Sequence, residues 1–172
     1  MNNTARILLA VLVATSFTAC KKKEVKEEVP PASSQAQTET RTEGARSGGA
    51  FTPEDLERDA CLRQRVVYFD FDRADVRPEA AATLACHGKY LKDRPSARVT
   101  LEGHADERGT REYNLGLGER RGRGAGDALQ ANGGSAGQLN IVSYGEERPT
   151  CNEHGEPCWG KNRRVEIVYT AK

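Results

Sequence analysis

The sequence predicts an α+β fold, a two-layer sandwich of a small mixed β-sheet with helices on one face. Three observations predict this class: β-branched and aromatic segments of strand length, longer segments with helix signals, and their order, β-α-β-α-β-β after one leading helix. That order places the helices on one face of the sheet. With 172 residues, and roughly 100–150 residues per domain, the chain has room for one globular unit plus extra segments.

The globular unit is predicted to span residues 51–172, and its first half contains two helices and a strand. The leading helix is predicted to start at Thr52, because a threonine N-cap followed by proline and two acidic residues is typical of a helix N-terminus. The β-branched and aromatic residues 65–71 predict a strand. A helix is predicted over residues 77–91 and ends before Pro95, which cannot continue it.

The second half continues with a strand over residues 97–104, where apolar and polar residues alternate. Residues 112–131 predict a long helix, which an Asn-Gly-Gly sequence ends. Two further strands are predicted over residues 139–144 and 164–169.

Glycines crowd the helix predicted over residues 112–131, at Gly116, Gly118, Gly122, Gly124 and Gly126. Each glycine inside a helix costs about 1 kcal/mol relative to alanine. We therefore expect this helix to depend on packing by its apolar residues Leu115, Leu117, Ala125 and Leu129.

The N-terminus is typical of an exported lipoprotein, with residues 1–19 as the signal peptide. Its apolar stretch, residues 7–14, is too short for a membrane-spanning helix, which needs about 20 residues. The sequence Phe-Thr-Ala-Cys resembles a bacterial lipobox, which predicts that Cys20 is lipidated. Lys21 follows where an aspartate would favour the inner membrane, so we expect an anchor in the outer membrane.

Residues 20–50 are predicted to be a lipidated cysteine followed by a disordered linker. Lys, Glu, Pro, Ser, Gln and Thr dominate, and no hydrophobic period is present that would offset the entropy of ordering. Thirty flexible residues have an r.m.s. span of about 30 Å. The linker is therefore expected to act as a leash between the membrane and the globular domain.

Composition argues against several classes of function. There are 26 basic and 25 acidic residues, so bulk charge does not favour nucleic acid as a partner. The sequence has no phosphate loop, dinucleotide fingerprint, metalloprotease motif or nucleophile elbow, and it predicts no cofactor. One enzymatic alternative is a murein hydrolase that uses Asp106 and Glu107 as a carboxylate pair. Adjacent residues usually diverge, which disfavours it.

Four cysteines remain besides the lipobox residue, and an even number in an exported chain predicts two disulfides. Cys151 and Cys158 bracket one short loop and are the natural pair, and Cys61 and Cys86 would form the other. A metal cluster of Cys151, His154 and Cys158 is the alternative, although its spacing fits no standard zinc pattern.

Five sequence blocks resemble, in order, the conserved blocks of the OmpA-like C-terminal domain family. They are FDFD at residues 69–72, EGHADERGT at 102–110, EYNLGLGERR at 112–121, VSYGEERP at 142–149 and KNRRV at 161–165. The similarity covers about residues 60–171. The resemblance implies the fold of that family and a peptidoglycan-binding role for the domain.

Members of this family hold the diaminopimelate of a peptidoglycan stem peptide, so the resemblance also implies a site. Asp106 corresponds to the anion that meets the ligand's ammonium, and Arg121 to the cation that meets its carboxylate. Both are expected to be surface residues at a loop rim. Supporting contacts are implied for Phe71, Asp72, Thr110 and Asn114. For His104, beside this site, we expect a hydrogen-bonded structural role rather than a metal or general-base role.

Together these features predict a non-catalytic lipoprotein that tethers the outer membrane to peptidoglycan, with its domain facing the periplasm. The resemblance further implies a role in the Tol envelope system, with the periplasmic Tol propeller protein as a partner, in envelope integrity and cell division. The alternative is a murein-binding lipoprotein of the same family without a Tol partner.

Overall fold

The structure, a computed structural model, describes residues 49–172. The predicted signal peptide, Cys20 and nearly all of the predicted linker lie outside the described residues. Within them the helices and strands are, in chain order, α1 (Asp55–Arg58), β1 (Val66–Tyr68), α2 (Ala81–Asp93), β2 (Arg98–His104), α3 (Arg111–Ala131), β3 (Leu139–Gly145), α4 (Glu156–Asn162) and β4 (Arg164–Ala171). None of the helices in residues 49–172 has the length and apolar character needed to cross a membrane.

The strands form one mixed sheet in the order β1-β4-β2-β3. β2 and β3 are parallel, because α3 carries the chain back between them, and β4 is antiparallel to both of its neighbours. This arrangement confirms the predicted α+β class.

A single hydrophobic core lies between the sheet and the helices α2 and α3. The strands contribute Val67, Val99, Leu101, Val165 and Ile167, and the helices contribute Leu84, Tyr90, Leu91, Ala125 and Leu129. These side chains are at most 1 % exposed. Burial of this apolar surface is the main stabilisation of the domain.

The glycines of α3 allow the helix to lie directly on the sheet. A methyl group at Gly118 would be 2.3 Å from the Ser143 hydroxyl oxygen and 2.8 Å from the Gly103 carbonyl oxygen. The helix is held by packing, as predicted, since Leu117 is buried together with the two α3 residues of the core. Glycine lowers the intrinsic stability of the helix, but it lets α3 approach the sheet closely, which a side chain at position 118 would prevent.

Several local features differ from the predictions, among them the helix predicted over residues 77–91, whose α-helical part is α2 and begins at Ala81 after a 3₁₀ turn at Pro78–Ala80. The leading helix begins at Asp55 rather than at Thr52. The backbone N–H of Thr52 donates to the Asp55 carboxylate at 2.8 Å. The first strand ends at Tyr68 because the chain turns away to meet α3. The short helix α4 replaces part of a predicted loop.

Both predicted disulfides are confirmed. Cys61–Cys86 joins the segment after α1 to α2, and Cys151–Cys158 joins the loop after β3 to α4. The second bond leaves neither sulfur as a free thiolate, so the metal alternative for this loop is wrong.

Candidate functional site

A cavity of about 210 Å³ lies where β2 ends and α3 begins. Its lining residues come from three segments, the loop after β1, the loop after β2 and the first three turns of α3. They are Phe71, Asp72, Asp106, Arg108, Gly109, Tyr113, Asn114, Leu117 and Arg121. Five of the six residues predicted to bind peptidoglycan are therefore brought together in one cavity.

Thr110 is the predicted site residue that does not line the cavity. It is the N-cap of α3, and its hydroxyl oxygen accepts the backbone N–H of Tyr113 at 3.2 Å. This cap satisfies one of the free N–H groups at the helix start. Thr110 thus fixes where α3 begins, and with it the positions of the lining residues on that helix.

Arg121 lies at the floor of the cavity and is fully buried. Its guanidinium donates to three main-chain carbonyls: Nε to Arg73 at 2.8 Å, Nη1 to His104 at 2.8 Å and Nη2 to Asp70 at 3.0 Å. The side chain therefore ties α3 to the loop after β1 and to the end of β2. A guanidinium has five N–H donors, so two remain, one on each terminal nitrogen.

The charge of Arg121 is not matched by an adjacent carboxylate. Within residues 49–172 no carboxylate lies within ion-pairing distance of its nitrogen atoms, although Asp106 contributes favourably from further away. Burial lowers the pKa of Arg121 to about 10, so the group is still a cation at neutral pH. A buried cation with only neutral partners is costly, and an anion entering the cavity would compensate it.

Asp106 is only 4 % exposed, and its carboxylate is held by two arginines. Arg108 makes a two-point contact, with Nε at 3.0 Å and Nη2 at 2.7 Å, and Arg163 Nη1 lies at 3.2 Å. Burial by itself raises the pKa of the Asp106 carboxyl, but the hydrogen bonds from these arginines outweigh it and hold the pKa below its usual value. Asp106 is therefore an anion with strong internal partners.

The expectation that Asp106 and Arg121 are surface residues is wrong. Both side chains point inward from the loop and the helix, because each is needed to satisfy polar groups of neighbouring segments. Substituting either one will affect the stability of the domain as well as binding.

Arg108 is a lining residue that the sequence analysis did not single out. Its guanidinium lies 3.8 Å from the Phe71 ring and 4.1 Å from the Trp159 ring, between the two. Such cation–π contacts are worth about 0.5–2 kcal/mol each. Arg108 lies two residues after Asp106 in the sequence block EGHADERGT, and this proximity could have identified it as a site residue.

The loop after β1 is held over the cavity by α3. Tyr113 donates its hydroxyl to Asp72 Oδ1, and Asp72 has a positive φ of 56°. Aspartate tolerates this left-handed conformation better than most residues. Phe71 beside it is 55 % exposed, so an aromatic face is left at the cavity mouth.

Asn114 lines the cavity and also positions the loop after β2. It is buried, and its amide nitrogen donates to the carbonyls of Asp106 and Arg108, both at 3.1 Å. The Glu146 carboxylate also lies within hydrogen-bonding distance of this nitrogen, so that its two N–H groups are shared among three acceptors. This one side chain therefore fixes the backbone that carries both charged groups of the loop.

Glu107 faces away from the cavity. Its carboxylate oxygen accepts the indole N–H of Trp159 at 2.7 Å and lies 2.6 Å from His154 Nδ1. The hydrogen bond to Glu107 raises the pKa of His154. Only Asp106 of the adjacent carboxylates lines the cavity, so the two do not form the pair that glycan hydrolysis requires.

His104, at the end of β2, is buried, and neither ring nitrogen has a hydrogen-bond partner in the described part of the chain. The expectation of a hydrogen-bonded histidine is therefore wrong. Its nearest charged neighbour is Glu166, 3.9 Å from Nε2, and the Tyr144 ring packs against it at 5.5 Å. Burial, together with the charge of Arg164, lowers the pKa of His104 to about 4.

Comparison with known proteins shows which family the chain resembles. Residues 68–163 match the model of the OmpA family. The peptidoglycan-associated lipoprotein of Pseudomonas aeruginosa is 48 % identical over 125 residues, covering 72 % of this chain and 73 % of that protein. The corresponding lipoprotein of Haemophilus influenzae is 42 % identical over 125 residues, covering 73 % of this chain and 79 % of that protein.

Among solved structures, the crystal structure of the peptidoglycan-associated lipoprotein from Burkholderia pseudomallei is similar. It is 40 % identical, with a TM-score of 0.66, and the match covers 67 % of this chain and 98 % of that one. The family model spans more than half of the chain, and the lipoprotein relatives cover more than two thirds of it. The chain therefore belongs to the OmpA family, in its branch of peptidoglycan-associated lipoproteins.

Proposed function

We propose that the cavity binds the diaminopimelate residue of a peptidoglycan stem peptide, and that the chain thereby tethers the outer membrane to the cell wall. The names of the relatives support the cell wall as the target. The end of a diaminopimelate side chain carries one ammonium and one carboxylate. A receptor for it needs a cation with a two-pronged donor set and an anion close by.

The observation that carries the proposal is the buried Arg121 without a carboxylate partner. Its two remaining N–H groups lie one on each terminal nitrogen, which is the arrangement that binds the two oxygens of one carboxylate. Three internal carbonyls already hold the guanidinium in place, so little conformational entropy is lost when a ligand binds. The start of α3 adds a favourable field for a negative group.

The ammonium of the ligand is assigned to Asp106, whose carboxylate is held in place by two hydrogen bonds from Arg108. Because Arg121 is fully covered, the ligand has to move side chains at the cavity mouth. Phe71, which is 55 % exposed, is the lining side chain at the mouth that is most free to move, whereas Arg108 is engaged with Asp106 and Trp159.

Co-sedimentation of the protein with purified sacculi tests the proposal. We expect the wild type to pellet with diaminopimelate-containing sacculi and Asp106→Ala to remain largely in the supernatant. The control is Arg123→Ala, which removes an exposed arginine of α3 whose ion pair within residues 49–172 is with Glu119. Equal sedimentation of the wild type and Asp106→Ala would contradict the assignment of the anion.

The ligand provides a second test that does not depend on a variant. Peptidoglycan with lysine in place of diaminopimelate keeps the ammonium but lacks the carboxylate. We expect it to bind the wild type weakly, because Arg121 then has no anion to meet. Equal binding of the two kinds of sacculi would contradict the role of Arg121.

The proposal extends to the anchor and to a partner. The lipobox-like sequence that ends in Cys20 supports lipidation, and Lys21 supports retention in the outer membrane. The family resemblance supports the periplasmic Tol propeller protein as a partner. A pull-down with that protein distinguishes a Tol-linked tether from a murein-binding lipoprotein without a Tol partner.

A further inference from the structure

A segment that a disulfide closes packs against Arg108, a lining residue of the cavity, although the segment itself does not line the cavity. We define the α4 wall as residues 151–163, which run from Cys151 through α4. Cys151 and Cys158 are bonded to each other, and the next residue, Trp159, places its ring against the Arg108 guanidinium at 4.1 Å. The disulfide is thus one residue away from a direct contact with a cavity-lining side chain.

The α4 wall contacts Arg108 at two points. Besides the Trp159 ring, Glu156 Oε2 lies 3.6 Å from Arg108 Nη2. The indole N–H of Trp159 is held by Glu107 at 2.7 Å, which sets the orientation of the ring. Arg108 in turn rests on Asp106, the anion of the proposed site.

Few apolar contacts hold the α4 wall in place. Of residues 151–163 only Cys158, Asn162 and Arg163 are buried. The remaining attachments are polar, and several are solvent-exposed. A short segment of this kind owes much of its order to its covalent closure.

From this arrangement we propose that the Cys151–Cys158 disulfide positions part of the binding site, because it holds Trp159 against Arg108. The oxidised chain therefore binds peptidoglycan more tightly than the chain in which this bond is reduced. The inference rests on the proposed function of the cavity. It adds to that function a dependence on the redox state of one bond.

The reduction is a thiol–disulfide exchange with a dithiol. The thiolate of the dithiol attacks the sulfur of Cys151, which is half-buried, whereas Cys158 is only 3 % exposed. The Sγ–Sγ bond breaks, and Cys158 leaves as a thiolate, which the backbone N–H of Glu153 can stabilise because it lies 3.2 Å from that sulfur. The second thiol of the dithiol then releases Cys151, so that two electrons and two protons pass to the protein and the reductant becomes a disulfide.

The chain offers a matched control in its other disulfide. Cys61–Cys86 joins the segment after α1 to α2, and neither residue lines the cavity. Cys61→Ser/Cys86→Ser therefore leaves Cys151–Cys158 as the one disulfide of the described domain. Cys151→Ser/Cys158→Ser does the reverse, which separates the effects of the two bonds.

The experiment measures sacculus binding by the full-length protein in a non-ionic detergent, with and without dithiothreitol. For Cys61→Ser/Cys86→Ser we expect the reductant to weaken binding about tenfold, the size expected when a partly desolvated cation–π contact is lost. For Cys151→Ser/Cys158→Ser we expect the same weakness without reductant and no further change with it. Alkylation and mass spectrometry confirm which thiols are free.

Two readouts separate positioning from a general loss of stability. Trp159 is the one tryptophan of the chain, so its emission reports directly on the α4 wall. We expect a shift to longer wavelength when Cys151–Cys158 is reduced, and no shift in the serine variant of that pair. In an Arg108→Ala background the effect of reduction on binding should disappear, because the contact that the disulfide positions is then absent.

Failure of the inference and failure of the proposed function give different results. If the oxidised wild type does not bind sacculi, the proposed function is wrong. If the wild type binds but reduction of Cys151–Cys158 leaves the affinity unchanged, the inference is overturned, whatever the tryptophan emission does. It is also overturned if the loss of affinity persists undiminished in the Arg108→Ala background.

Discussion

Replacing Arg121 by alanine is expected to lower both the stability of the domain and its affinity for peptidoglycan. The side chain is fully buried and donates to the carbonyls of Asp70, Arg73 and His104. A hydrogen bond from a charged donor contributes about 1.5–3 kcal/mol, and the values are not additive. We expect the free energy of unfolding to fall by about 3–5 kcal/mol, the range for breaking a buried charged network.

The loss of binding should exceed what partial unfolding explains. Removing one side of a desolvated charge pair costs about 2–5 kcal/mol, which corresponds to at least roughly thirtyfold weaker binding. Arg121→Lys keeps the charge and should lose less stability, but it should still bind poorly because an ammonium cannot hold both carboxylate oxygens. Sacculi with lysine in place of diaminopimelate should show little further loss with either variant.

Urea unfolding followed by circular dichroism gives the stability, and co-sedimentation at a temperature where the variant is folded gives the affinity. Arg123→Ala in the same helix is the control, since its exposed ion pair with Glu119 is worth less than about 1 kcal/mol. An Arg121→Lys chain that is folded and binds sacculi as tightly as the wild type would refute the reasoning.

The remaining predictions concern pH, packing and the anchor. His104 has a pKa of about 4 in the folded chain and of about 6.5 in the unfolded chain, so the unfolded state binds the proton first as the pH falls. The free energy of unfolding is therefore expected to fall by about 3 kcal/mol between pH 6.5 and 4. His104→Phe should remove this pH dependence in a series of unfolding measurements, and parallel curves for the wild type and the variant would contradict it. Gly118→Ala should lower the free energy of unfolding by about 2 kcal/mol or more, because its methyl group would overlap the Gly103 carbonyl, whereas Gly116→Ala should be neutral or stabilising. Equal urea midpoints of unfolding for the two variants would show that close packing does not require glycine at position 118. Cys20→Ser should move the folded protein from the membrane fraction to the periplasm, and retention in membranes free of murein would argue against lipidation there.

Local patterns in the sequence were sufficient for the class of fold and for most of its elements. The alternation in residues 97–104 predicts β2, which spans Arg98–His104, and the predicted helix over residues 112–131 is α3 to within one residue at its start. Periodicity and caps depend on neighbours within a few residues, so a linear sequence contains them. The even number of remaining cysteines likewise predicted two disulfides, and the short loop between Cys151 and Cys158 favoured the pairing that is observed.

The interior of the site was decided by tertiary structure alone. Arg108 lies between Phe71 and Trp159, residues 88 positions apart in the sequence, because the loop after β1 and the α4 wall meet at the end of β2. The burial of Arg121 likewise follows from carbonyl groups of segments up to 51 residues away. Such contacts depend on how closely α3 packs on the sheet, which Gly118 permits and no local pattern records. The sequence thus predicted which residues would meet a zwitterionic ligand, and packing determined that Asp106 and Arg121 are buried and hydrogen-bonded inside the domain.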